Sequence, residues 1–138
     1  MSYNPFTLEG KTILITGASS GIGRATAIEC SKLGATCIIT ARNEERLNET
    51  LSQMEGEGHL VICADLSAQE GIDFLVGNIP ELDGLVSNAG IATKKTISFY
   101  KQELLNEIFQ TNAFVPMLLI RTLLKRKKIR LNASLVFT

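Results

Sequence analysis

Thr16-Gly17-Ala18-Ser19-Ser20-Gly21-Ile22-Gly23-Arg24 is the stretch on which the fold turns. It follows a short apolar run, Lys11-Thr12-Ile13-Leu14-Ile15-Thr16, and leads into an apolar-periodic segment that reaches Leu33. A continuous apolar run suits a strand covered on both faces, as in a parallel sheet. Between such a strand and a helix the three glycines have separate uses. Gly17 permits a tight turn, Gly21 lets an anion approach the main chain without a Cβ in the way, and Gly23 lets the helix pack close to the strand. The helix N-terminus presents free N–H groups and the positive end of its dipole to that anion. The spacing differs from Gly-x-Gly-x-x-Gly, so the strand–turn–helix context is what points to a dinucleotide. Ser19, Ser20 and Ile22 complete the predicted cofactor-binding turn.

The alternation continues outward. Gly21–Leu33 reads as a helix with Ile22, Ala25, Ala27, Ile28 and Leu33 as its apolar surface, stopped by Gly34. Thr36–Thr40 is the second strand, and Asn43 caps a charged helix over Glu44–Met54 with Leu47 and Leu51 inward. His59–Cys63 is the third strand. Ser67 is predicted to cap a helix running toward Ile79, which Pro80 ends. Leu85–Ser87 is the fourth strand, Phe99 to Lys125 a long helix, and Leu135–Thr138 opens a fifth strand. With right-handed crossovers this predicts an α/β fold: a doubly wound parallel sheet, Rossmann-like, in strand order 3-2-1-4-5. The expectation is a single dinucleotide-binding domain over residues 1–138, incomplete at its C-terminus.

The 138 residues are 45% hydrophobic and 20% charged with a formal net charge of zero, so the chain as a whole offers no field for nucleic acid or an anionic membrane. No apolar run is long enough for a bilayer, and the N-terminus lacks a signal-peptide pattern. Lys125-Arg126-Lys127-Lys128 reads as cations at a helix C-terminus rather than a nucleic-acid patch. Cys30, Cys37 and Cys63 form no Cys-x-x-Cys and read as free core thiols of a cytoplasmic protein; no metal site is expected. His59, the only histidine, begins a strand and has no nameable catalytic partner.

The second strand should end near the adenosine ribose. A carboxylate there would bond the 2′-hydroxyl of NAD and repel a 2′-phosphate. Thr40-Ala41-Arg42 has none, and Arg42 can form charge-assisted bonds to a phosphate, so NADP(H) is favoured over NAD(H); a solvated loop charge is the competing reading. In the long helix, Pro116 has no N–H, so the Asn112 carbonyl lacks its usual partner and a local kink is expected.

In these residues the chain resembles the single-domain type of the short-chain dehydrogenase/reductase family. The family's Thr-Gly-x-x-x-Gly-x-Gly is intact at Thr16, Gly17, Gly21 and Gly23. Its Asn-Asn-Ala-Gly is present as Ser87-Asn88-Ala89-Gly90, with Ser87 departing from the pattern. Asp65-Leu66 stands where the family holds adenine, although Asp65 alone would also pass as a plain cap. Asn112, in Gln110-Thr111-Asn112-Ala113, matches an active-site asparagine whose carbonyl anchors a water in a proton relay to the catalytic lysine.

The resemblance implies hydride transfer between NADP(H) and a small-molecule carbonyl or alcohol. It also implies homo-oligomers paired through the long helix. The family's serine and Tyr-x-x-x-Lys would fall after Thr138, and neither Tyr3 nor Tyr100 substitutes for that tyrosine. Leu135–Thr138 would be a bare apolar edge, so the chain is expected to be the cofactor-binding part of a longer one, inactive by itself. The alternative function is a dinucleotide-binding sensor or scaffold without catalysis.

Overall fold

Thr12–Thr16 (β1) sits mid-sheet because it can bury both faces. Leu14 packs to one side, and Ile13 and Ile15 to the other. The computed structural model describes residues 3–138. The remaining strands are Thr36–Ala41 (β2), Leu60–Cys63 (β3), Leu82–Ser87 (β4) and Ile129–Phe137 (β5). All pair in parallel in the order β3-β2-β1-β4-β5. The predicted 3-2-1-4-5 layout is the observed one.

The helices cover both faces, as parallel crossovers require. Gly21–Lys32 (α1) and Glu44–Ser52 (α2) cover one face, where Ala27 and Leu47 meet Ile13, Ile15, Cys37 and Ile39. Gln69–Gly77 (α3) and Val115–Lys125 (α5) cover the other, where Ile72, Leu75, Leu119 and Leu123 meet Leu14, Ile38 and Leu85. Truncating any of these fully buried leucines to alanine costs about 2–5 kcal/mol.

Several local expectations are corrected. The long helix is not continuous. A 3-10 turn at Ile97–Phe99 precedes Gln102–Phe109 (α4), and a π-helical segment, Gln110–Phe114, joins α4 to α5. Tyr100 follows the 3-10 turn instead of opening the helix. Pro116 near the start of α5 explains the widening, because a residue without an N–H cannot continue the α ladder.

Ser67 does not cap α3. Ala68 takes that position, and the Ser67 hydroxyl donates to Asp65 Oδ1 at 2.6 Å. Asn43 does cap α2, accepting from the Arg46 N–H at 3.0 Å. On α1 the buried residues are Gly23, Ala27 and Ser31, while Ile22 is exposed. Of the cysteines only Cys37 is buried; Cys30 is half-buried and Cys63, on the edge strand, is exposed.

Strand β4 begins at Leu82 rather than Leu85, and β5 at Ile129 rather than Leu135. Between the pairs Leu82–Ile129 and Gly84–Ser134, β5 advances five residues where β4 advances two. The extra residues form a bulge in which Asn132 has φ +68° and Leu131 is exposed. The basic run closes α5 as expected: Arg126 and Lys128 donate to the carbonyls of Asp73 and Ile79. His59 is a fastener. Its Nδ1 accepts the Cys37 N–H at 3.0 Å and its Nε2 lies 2.7 Å from the Glu55 carbonyl.

Candidate functional site

The C-terminal ends of β1, β2, β3 and β4 open on one cleft of about 530 Å³. It lies where the strand order reverses, between β1 and β4, the position at which open parallel sheets bind ligands. Every predicted cofactor residue lines it except Gly23: the turn residues Gly17, Ser19, Ser20, Gly21 and Ile22, then Arg42, then Asp65 and Leu66, then Asn88, Ala89 and Gly90.

Each glycine of the turn has a distinct geometry. Gly17 takes φ +64°, and a Cβ there would lie 2.9 Å from the Ala89 backbone. Gly23 is packed so tightly that a Cβ would overlap the Gly17 carbonyl and stand 2.7 Å from Asn88 Nδ2. It therefore sets helix–turn spacing from behind the cleft. Gly21, at φ +55°, has nothing within 4 Å of its Cβ position.

The site accommodates an anion. Ser20 is the N-cap of α1 but makes no side-chain cap, and the first turn carries no acidic residue. The N–H groups of that turn therefore face the cleft without a carboxylate or capping oxygen competing for them. The Thr40 hydroxyl, buried on the cleft wall, also has no partner among the described residues. A dinucleotide's pyrophosphate fits this donor set.

The second strand–turn motif is held by the first. Thr16 Oγ1 accepts the N–H groups of both Asn88 and Ala89, at 3.0 and 3.1 Å. Asn88 then reaches back with its Nδ2 to the Gly17 carbonyl, while its Oδ1 accepts from the Thr138 hydroxyl at 2.7 Å. Asn112 lies beside the cleft rather than lining it. Its amide clasps Ile91, accepting from the Ile91 N–H and donating to the Ile91 carbonyl, each at 2.8 Å. The Asn112 side chain thus anchors the loop after β4, and its residue sits inside the widened π segment.

Asp65 accepts from both the hydroxyl and the N–H of Ser67. Those bonds, with help from nearby Arg42, hold its carboxyl below the usual range. The loop carrying it lies directly on α3, where a Cβ on Gly71 would overlap the Asp65 carbonyl. Gly71 had no signal in the sequence, since a helical glycine announces close packing only once its neighbour is known. The cleft also includes Arg46, Glu107 and Thr111, which sequence reading left without a role. The i,i+4 spacing of Glu107 and Thr111 could have flagged their shared face. Among the described residues no three His, Cys, Asp or Glu side chains gather as metal ligands, and no helix is long and apolar enough to cross a membrane.

Comparison with known proteins agrees with this architecture. The family model described as short chain dehydrogenase matches residues 11–138. An uncharacterized oxidoreductase of Escherichia coli (strain K12) is 32% identical over all of this chain and 60% of its own. A 3-ketoacyl-(acyl-carrier-protein) reductase from Brucella melitensis, solved with NADH, superposes with a TM-score of 0.79 at 31% identity, covering 86% of this chain and 51% of its own. Pseudomonas aeruginosa RhlG, solved with NADP, gives 0.80 at 27% identity over 94% and 54%. The chain thus spans about half the length of these solved structures. With the glycine turn, the strand order and the cleft in agreement with that match, the chain belongs to the short chain dehydrogenase family.

Proposed function

We propose that the protein is an NADP(H)-dependent oxidoreductase acting on a carbonyl or hydroxyl group of a small-molecule substrate. When bound, the dinucleotide supplies or takes up the hydride. The residues here do the holding. The N–H groups at Ser20–Ile22 receive the pyrophosphate, and Gly21 leaves room for it. Asp65 and Leu66 border the adenine, and Asn88-Ala89-Gly90 forms the wall beneath the rest of the cofactor. Asn112 fixes the loop beyond that wall through Ile91, and its backbone carbonyl is the proposed anchor of a water in proton transfer. The chain contains two tyrosines, Tyr3 and Tyr100, and neither has a lysine four residues later. The general acid of hydride transfer is therefore proposed to lie outside residues 1–138, which by themselves should not turn over.

The observation that carries the cofactor preference is at the end of β2. Ala41 stands where a carboxylate would select NAD, and Arg42 beside it borders the cleft. The test is fluorescence titration of the protein expressed from its complete reading frame with NADPH and NADH. NADPH should bind at least about tenfold more tightly, as one charge-assisted contact to phosphate supplies. Equal or tighter NADH binding would overturn the preference. Steady NADPH oxidation by residues 1–138 alone would overturn the assignment of the acid elsewhere.

A further inference from the structure

The rim of the cleft beyond β2 sorts its charges by sign. Four charged side chains follow one another there: Arg42, Glu44, Glu45 and Arg46. The two arginines border the cleft. Glu44 borders a separate groove along β3, and Glu45 borders neither. Among the described residues, neither Arg42 nor Arg46 has a carboxylate within ion-pair distance; the ion pairs are made by Arg24, Lys32 and Arg130. The Asp65 carboxylate lies near Arg42 without pairing with it, and two arginines on one rim with no ion-paired carboxylate favour an anion between them.

Arg46 is also held in place relative to the glycine turn. Its N–H donates to Asn43 Oδ1 at 3.0 Å. Its carbonyl accepts from Arg24 at 3.1 Å and lies 3.2 Å from the Thr50 hydroxyl, whose single proton it shares with a closer acceptor. The same Arg24 nitrogen donates to the Ser19 carbonyl at 2.7 Å, and Thr50 donates to the Ala18 carbonyl at 2.8 Å. Arg24 and Thr50 therefore join the first turn of α2 to the phosphate turn, and the distance between Arg46 and that turn is fixed by hydrogen bonds rather than by a loop.

We infer that Arg46 is a second specificity-determining residue, closing with Arg42 on the phosphate monoester of the adenosine ribose. The inference rests on the NADP(H) reading proposed above. A phosphate monoester carries about −1.5 to −2 charge at neutral pH, so one guanidinium leaves it under-neutralised and two match it. Planar forks on either side can each make paired N–H···O bonds, which an ammonium cannot.

The experiment measures NADPH and NADH affinities for Arg42→Gln, Arg46→Gln, Arg46→Lys and the double glutamine variant, on the protein expressed from its complete reading frame. Adenosine 2′,5′-bisphosphate and 5′-AMP serve as probes that lack the nicotinamide. Arg46→Gln should weaken NADPH and the bisphosphate about tenfold while NADH and 5′-AMP stay within about twofold. Arg46→Lys should recover part of the loss, and the double variant should bind NADPH and NADH alike. If Arg42→Gln abolishes the preference and Arg46→Gln leaves it intact, the inference about Arg46 falls and the NADP(H) reading stands. If the unsubstituted protein prefers NADH, both fall. Equal weakening of all four ligands by Arg46→Gln would show a structural role and overturn the inference.

Discussion

Replacing Gly23 by alanine should damage the fold, whereas the same change at Gly21 should damage binding. At Gly23 the new Cβ would stand 2.7 Å from both the Gly17 carbonyl carbon and Asn88 Nδ2, where ordinary contact is 3.4 Å, and the Gly17 oxygen is closer still. Helix α1 must retreat by about 1.3 Å to bring the Gly17 oxygen to ordinary contact, taking the buried Ala27 with it. Two of the blocking atoms are backbone and cannot rotate aside, so the cost belongs at the upper end of overpacking, about 3 kcal/mol. For a chain of this size that lowers the melting temperature by about 10 °C. At Gly21 the Cβ meets nothing, and only its left-handed φ of +55° carries a cost, about 1 kcal/mol or about 3 °C. Its dinucleotide affinity should nevertheless fall about tenfold, by obstruction of the main chain that receives the phosphate. Calorimetric melting and NADPH fluorescence read the two effects separately. Melting of Gly23→Ala within about 2 °C of the parent would refute the packing argument. Unchanged affinity in Gly21→Ala would refute the placement of the pyrophosphate.

Thr16→Val removes the oxygen that accepts both the Asn88 and Ala89 N–H groups, and should cost about 3 kcal/mol by urea denaturation while Thr16→Ser retains most of the stability; equal midpoints for the two variants would contradict the double-acceptor role. Cys63 should react first with a thiol reagent in the native protein, and Cys37 only on unfolding, since burial, aided by nearby Cys30, pushes the Cys37 thiol up to about 12; peptide mapping after brief labelling checks the order. The Asp65 carboxyl is held down in the fold by Ser67 and then by Arg42. Its contribution to stability is therefore present above the unfolded carboxylate range, about pH 4, and lost as pH falls through the lower folded value. Ser67→Ala should raise the Asp65 midpoint in a carboxyl NMR titration, and an unmoved midpoint would remove Ser67 as the cause.

The sheet was legible because its signals are local. Each central strand is a short apolar run, and the glycine turn combines three spacing requirements that few other contexts impose. What escaped sequence reading depends on contacts across the chain. The start of β5 was hidden because Arg130, Leu131 and Asn132 occupy a bulge whose composition does not read as strand. Pro116 signalled a disturbance, but not that the chain would absorb it as a π segment over Gln110–Phe114. Ser67 looked like a cap because serine caps helices, yet Asp65 two residues earlier offered its hydroxyl a stronger, charged acceptor. Gly71 owes its role to contact with the Asp65 carbonyl on the preceding loop, and Arg24 meets Arg46 across 22 residues, a pairing that no local window reveals.

The ring of His59 bears on what this chain can do chemically. Cys37 donates its N–H to Nδ1, so the proton of the neutral ring must sit on Nε2, where the Glu55 carbonyl receives it. A single tautomer is thereby selected, and both nitrogens are consumed by the main chain. The one imidazole in the sequence is thus spent joining β2 to the loop that leads from α2 into the parallel strand β3, with no lone pair left to relay a proton or ligate a cation. Acid–base chemistry within these residues therefore has to use groups other than imidazole.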